Sequence, residues 1–285
     1  LIEQRAARIV LMAAVFPVPL LGVASVAILA LVTQVRGWRT ALVDLGLGIL
    51  ALAVMLAIAG GQWLGVGLGA AVAWLIGVAL AVVRSSGGMV LATQVAVLVA
   101  IVVVVVIAAA VPDVTAGWRA LIRDFADQAS AAGMDVGPLD ALERAAGWMT
   151  GMIAASAVIS SGVALLLGSA WASRMGAGDA VSEFRMLRMG YVIGGLALAT
   201  VVAMLAGLRD VADDLAMVFG AGFLLQGIAV VHWQASQQRW PSWWALLMYA
   251  PMLVPAVAAV EVLALAVVGV IDNAFGLRRA RSNMV

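Results

Sequence analysis

Few side chains in this sequence can bind an ion, move a proton or grip a ligand, and most of those stand alone in apolar surroundings. Glu261 is the clearest case. No charged residue occurs from Pro241 to Val260 before it or from Val262 to Ile271 after it. A carboxyl inside a membrane span is costly, so it is expected to face a cavity, a partner or a proton path. Gln226 lies deep in another apolar run and must find its hydrogen-bond partners within the protein. His232 ends that run and has the chemistry of a proton shuttle near neutral pH. Six residues separate it from Gln226, about 240° around a helix, so the two are not expected to share a face. Arg185 and Arg188 occur in Glu183-Phe184-Arg185-Met186-Leu187-Arg188. On a nascent helix both guanidinium groups would point one way, toward a phosphate or a carboxylate. Glu261, Gln226, Arg185, Arg188 and His232 together make the expected ligand-binding set. Asp44 lies closer to a span end and can reach the interface.

Absences narrow the chemistry further. The chain has no cysteine, its basic residues are all arginine, and His232 is its one histidine. Thiol nucleophiles, zinc–thiolate sites, the P-loop lysine, Schiff bases and two-histidine metal motifs are thereby excluded. Gly176-Ala177-Gly178-Asp179 reproduces the Gly-x-Gly-Asp signature of intramembrane aspartyl proteases. That chemistry needs a second aspartate sharing a proton across a short distance. Here the motif sits in a polar loop and no Tyr-Asp pair occurs. No catalytic residue, cofactor or metal site is assigned, and the chain is not expected to be an enzyme.

The groups that remain must be held by membrane helices. Of 285 residues, 65% are hydrophobic and 11% charged, with a mean hydropathy of +1.14. A soluble domain carries about 45–50% apolar and about 25% charged residues, so the lipid bilayer is the expected solvent. Nothing in the scattered arginines resembles a nucleic-acid stripe. The expectation is all-α: a polytopic transmembrane bundle of about eight spans in a single domain, 1–285. The apolar segments are 9–34, 41–59, 63–83, 89–111, 148–172, 189–208, 213–233 and 243–271, each near the roughly 20 residues that a crossing needs. Four precede and four follow an acidic connector, 112–146. Pro17 and Pro19 are expected to bend the first helix or to set a half-helix before it. Gly60-Gly61-Gln62 and Arg84 to Gly88 mark breaks.

Within the connector, Trp118, Leu121, Ile122 and Phe125 fall on one helical face, which suits an amphipathic helix at the interface, either a lid or a connector packed on its own protein. With eight spans this connector shares a side with both termini. Nine arginines then lie there against seven opposite, and the cluster Arg278, Arg279 and Arg281 favours cytoplasmic termini. Gly65-x-x-x-Gly69, Gly190-x-x-x-Gly194 and the pair Ser156 and Ser160 are expected at close helix contacts. Trp233, Trp240, Trp243 and Trp244 suit an interfacial aromatic belt.

Phe184-Arg185-x-Leu187-Arg188, then Gln226-Gly227-x-Ala229-Val230-x-His232, then Pro251 and Pro255 in a last apolar helix that ends in arginines, resembles the YybS-like bacterial membrane proteins. The likeness covers mainly residues 180–281. It implies a bacterial inner-membrane protein, distantly similar to the substrate-binding subunits of energy-coupling-factor transporters, which typically have six spans. Two functions follow as expectations. One is a small-molecule binding or transport subunit that works with a separate ATPase and energy-coupling membrane subunit, or with an ion gradient through Glu261. The other is a non-catalytic membrane scaffold that docks partners on the 112–146 segment.

Overall fold

The computed structural model describes residues 4–18, 20–60, 63–135 and 137–278, with the side chains of Trp63 and Asp210 excepted. Pro19, Gly61, Gln62, Arg279 and Arg281 lie outside these. Among the described residues every regular element is helical: α1 (Arg5–Val15), α2 (Gly22–Arg36), α3 (Trp38–Ile58), α4 (Trp63–Ala110), α5 (Val114–Ala131), α6 (Leu139–Ala145), α7 (Met149–Ser173), α8 (Ala180–Arg185), α9 (Gly190–Leu205), α10 (Arg209–Gln237), α11 (Trp244–Tyr249) and α12 (Pro255–Phe275). Five of the helical stretches are long and apolar enough to cross a membrane: Trp38–Ile58, Leu64–Ala110, Leu139–Ser173, Val211–Gln237 and Pro255–Phe275. The protein is an all-α membrane bundle.

The long helix α4 is two arms joined at Gly88, whose φ of 76° only glycine adopts cheaply. Residues 72–83 of the first arm and 95–107 of the second line one cavity from opposite sides, so the arms run antiparallel. Glu183 holds the bend. One carboxylate oxygen accepts from the Met89 N–H at 3.0 Å, where the second arm begins, and the other meets Arg84 Nη2 at 2.8 Å. A carboxylate at a helix N-terminus also complements the dipole there.

The first apolar segment is not one crossing helix. Arg5 and Arg8 of α1 bond Asp44, Met12 lies against Gly48, and Phe16 meets the edge of Trp74 at 5.5 Å. α2 then starts at that same depth, with Ser25 accepting from Trp74 Nε1 at 2.9 Å. It ends beside Arg84, whose Nη1 donates to Gln34 at 2.5 Å. Both helices therefore lie between the Arg84 end of the bundle and the level of Trp74. The chain enters and returns at one end, turning through residues 16–21. Pro17, one of the two prolines expected to bend a helix, stands in that turn and cannot donate to a continuing helix.

α7 is the shared wall. Three glycines let neighbours approach its backbone: Gly151 faces Asp214, Gly162 faces Leu225, and Gly168 faces Ala27 and Ala30. The order 151 to 214 and 162 to 225 makes α7 and α10 parallel. Asp214 accepts from the Gly151 N–H at 2.8 Å, close to the start of α7. The glycines expected to pack do not all do so, since nothing lies within 4 Å of a Cβ placed on Gly65 or Gly69, and Ser156 is exposed. The closest approach of α10 and α12 is at Gly227 and Gly269, which face Leu265 and Phe223 backbone. No side chain would fit there, which is the usual reason for small residues at membrane-helix contacts.

At the other end of the bundle lies α5. Trp118 Nε1 donates to Thr150 Oγ1 at 2.8 Å, and Arg123 pairs with Glu143 of α6 at 2.7 Å. The inward face is Trp118, Ile122, Ala126 and Ala129, whereas Leu121 and Phe125 are 58% and 62% exposed. The expected four-residue stripe is thus split, because two small alanines carry the contact and the bulky pair is left facing outward. The last apolar segment is also broken: α11 stops at Tyr249, a 3-10 turn spans Pro251–Leu253, and α12 begins at Pro255.

Candidate functional site

Gln226 is fully buried in α10, and both ends of its amide are engaged. Its Oε1 accepts from the Met189 N–H at 2.8 Å and its Nε2 donates to Asp272 Oδ2 at 2.6 Å. Asp272, also fully buried, pairs with Arg278 Nη2 at 2.6 Å. Arg278 folds back past Gly276, which has a φ of 65°, and also donates to the carbonyls of Arg185 at 2.5 Å and Leu187 at 2.6 Å. Asn273 clasps Gly190 through both its N–H (2.9 Å) and its carbonyl (3.0 Å). Gln94 of α4 donates to the carbonyls of Arg188 and Met189. The non-helical stretch 186–189 cannot satisfy its own backbone, and side chains from α4, α10 and α12 do so instead.

Of the expected set, the structure brings Gln226, Arg185 and Arg188 together around this stretch. α8 stops at Arg185, so the two arginines do not share a helix as the spacing suggested. The Arg188 Nη2 donates to the Asn273 carbonyl at 3.2 Å in the last turn of α12, a favourable place for a cation. The Nε of each arginine is buried with no hydrogen-bond partner. His232 lies to one side, with Nε2 2.7 Å from the Tyr249 hydroxyl and its ring against the edges of Trp244 and Phe184, at 4.9 and 5.9 Å. Glu261 is separate. It precedes Asp272 by 11 residues, three turns and about 16 Å along the same face of α12. Its Oε2 is buried and unpartnered.

Asp44 does not reach an interface. It is fully buried and holds both Arg5 and the equally buried Arg8. Asp179, from the protease-like motif, caps α8 by accepting from the Ser182 N–H at 3.1 Å and its hydroxyl at 2.6 Å. Asp272, Asn273 and Gln94 were not singled out from the sequence, and Arg278 only as part of the terminal arginine cluster. The signal for Asp272 was present: it is the second carboxyl on the face that carries Glu261.

Three apolar spaces adjoin these elements. A groove of about 650 Å³ runs between α9, α10 and α12, from Val201 and Phe219 to Tyr191 and Asn273. A cavity of about 450 Å³ lies between the arms of α4 and α7, reaching Trp118 and Thr150. A third, about 340 Å³, is lined by Phe16, Pro17 and Val18 of the α1–α2 turn together with Ser160 and Ser161. The last two meet at Ile76, Ala157 and Ser161. Among the described residues no group of three or more potential metal ligands occurs.

No family model, curated protein or solved structure matches this chain.

Proposed function

We propose that this is a multi-pass protein of the bacterial inner membrane that binds and helps move a small molecule, as a transport subunit without its own ATPase. The observation that carries the reading is the turn between α1 and α2. It lines one cavity together with Ser160, half-way along α7. Irregular backbone at that depth is tolerated where it is buried in protein or lines a cavity, and broken helices near the midplane are a recurring place for substrate in transporters. This turn lines one cavity, and that cavity continues at Ser161 toward α5. The ligand suited to such walls is largely apolar with one or two hydroxyl-sized polar groups. A separate ATPase with its coupling subunit, or an ion gradient acting through Glu261, would supply energy.

Of the eight apolar segments, the first then returns to the end it left, and the last is divided into α11 and α12, the latter long enough to cross. Because the first segment folds back, both described chain ends lie opposite α5 rather than beside it. Arg5, Arg8, Arg36, Arg39, Arg84, Arg174, Arg185, Arg188, Arg239 and Arg278 gather at the chain-terminal end, against Arg119, Arg123, Arg144 and Arg209 at the other. Ten arginines against four among the described residues favour a cytoplasmic terminal end.

A scaffold role has one observation in its favour, the outward Leu121 and Phe125 on an acidic surface. Purification in mild detergent, with mass spectrometry of co-purified small molecules and proteins, separates the two readings. Transport predicts a small molecule retained by the wild type and lost from Ser161→Trp, which blocks the junction of the cavities. Retention of partner proteins alone, lost on deletion of 113–140, would favour the scaffold.

A further inference from the structure

The cavity between the two arms of α4 is unevenly closed. The arms meet at the Gly88 bend and run antiparallel away from it, so Val83 and Val95 bring the walls together at that end. Along its sides Val72, Val99, Val103 and Ile153 are exposed where the span meets lipid, a medium that admits no hydrophilic solute. The opposite end lies at the start of α7. From Thr150, the second residue of that helix, to Ser161 the cavity follows about 16 Å at 1.5 Å per residue. There the arms are far from their bend. Only three residues separate Ala110 from α5, whose outer face presents Arg119, Arg123, Asp124 and Asp127 to water.

One side chain of α5 reaches the cavity. Trp118 lines it together with Thr150 and donates from Nε1 to Thr150 Oγ1 at 2.8 Å. An indole covers a large apolar area, and its N–H finds a partner where water is excluded. The rest of the inward face of α5 is slight, with Ile122 half-buried and the contact completed by Ala126 and Ala129. A helix held by so few apolar contacts belongs to the low-stability end of a structure, where local opening is easy. The bond from Trp118 to Thr150 is a directional contact that holds it shut.

We infer that Trp118 is the gate between this cavity and water, latched by Thr150. The inference rests on reading the space as a ligand cavity, but its test needs no ligand. The chain lacks cysteine, so a single cysteine at Ala154, a buried wall residue one turn inside Thr150, reports access. Membrane sheets open to reagent on both faces are treated with a permanently charged methanethiosulfonate, which does not enter from lipid. Ala154→Cys is expected to react more slowly than Ser130→Cys at an exposed position on α5. Trp118→Phe keeps a ring and loses the N–H; Thr150→Val keeps the shape and loses the acceptor. Each should speed the reaction at Ala154→Cys about three- to tenfold, the weight of one hydrogen bond. Because both remove the same bond, their combination should add little. Trp118→Ala, which also removes the ring, should speed it further. A rate at Ala154→Cys equal to that at Ser130→Cys, or unchanged in Trp118→Phe and Thr150→Val, would overturn the gate and leave the cavity standing. Ser161→Trp tests the cavity reading itself, so a small molecule retained by that variant would remove the ligand path without altering these rates.

Discussion

Buried charge in this protein is held in pairs, and its removal has calculable effects. Asp44→Asn takes away the carboxylate shared by Arg5 and Arg8, and breaking a buried pair costs about 3–5 kcal/mol. Thermal unfolding in detergent should show that loss. The triple change Arg5→Gln, Arg8→Met and Asp44→Leu should recover most of it, because desolvated ions are then absent. Gln226→Leu leaves the Met189 N–H without an acceptor and takes a donor from Asp272, about 1–3 kcal/mol for each buried group left unmet. Hydrogen exchange at 186–189 is expected to accelerate with it. Asp179 adds a pH dependence at α8. Its hydrogen bonds from Ser182, side chain first and then backbone, hold the carboxyl below the usual range. A depressed folded-state value stabilises above the unfolded value of about 3.9, and the contribution disappears as pH falls through the lower folded value. Exchange at 180–185, corrected for intrinsic rates, should rise only at acid pH, and Asp179→Ala should abolish that step. Glu261 was legible from the sequence because no charge surrounds it. Asp272 could be placed on the same face, but its pairing was not legible, since Arg278 comes six residues later and reaches it only after the chain turns at Gly276.

Helices were legible wherever hydropathy and a polar break coincide. α3, the arms of α4, α7, α9 and α10 follow the apolar segments to within a few residues, and the α4 bend falls in the polar run Arg84 to Gly88. The α1–α2 turn was hidden because its own residues, Phe16-Pro17-Val18 and Leu20-Leu21, are as apolar as the helices they join. Hydropathy measures the solvent a residue prefers and says nothing about whether its backbone is helical. Glycine motifs misled for a related reason: spacing shows that a face is smooth without showing what touches it. Gly168→Val should push the Ala27 and Leu31 backbone away from α7 and lose about 1–3 kcal/mol as overpacking. Gly227→Ala should do likewise between α10 and α12. Gly65→Ala and Gly69→Ala, which face open space, should leave the unfolding temperature unchanged or raise it slightly through helix propensity.

For the molecule as a whole, the turn in the first segment decides the topology. If that segment crossed the membrane, the N-terminus and α5 would share a side and the arginines would divide nine to seven. Folding it back sends α5 to the opposite side from both chain ends. It also places irregular backbone on the wall of a cavity that reaches the middle of α7, which is the basis for reading the adjoining cavities as a ligand path. The absence of cysteine allows a direct test. Single cysteines at Gln4 and at Ser130 of α5 can be labelled in intact cells with a membrane-impermeant maleimide. Ser130→Cys is expected to react from outside, and Gln4→Cys only after the membrane is opened. Labelling of both from the same side would contradict the re-entrant turn and the transport reading built on it.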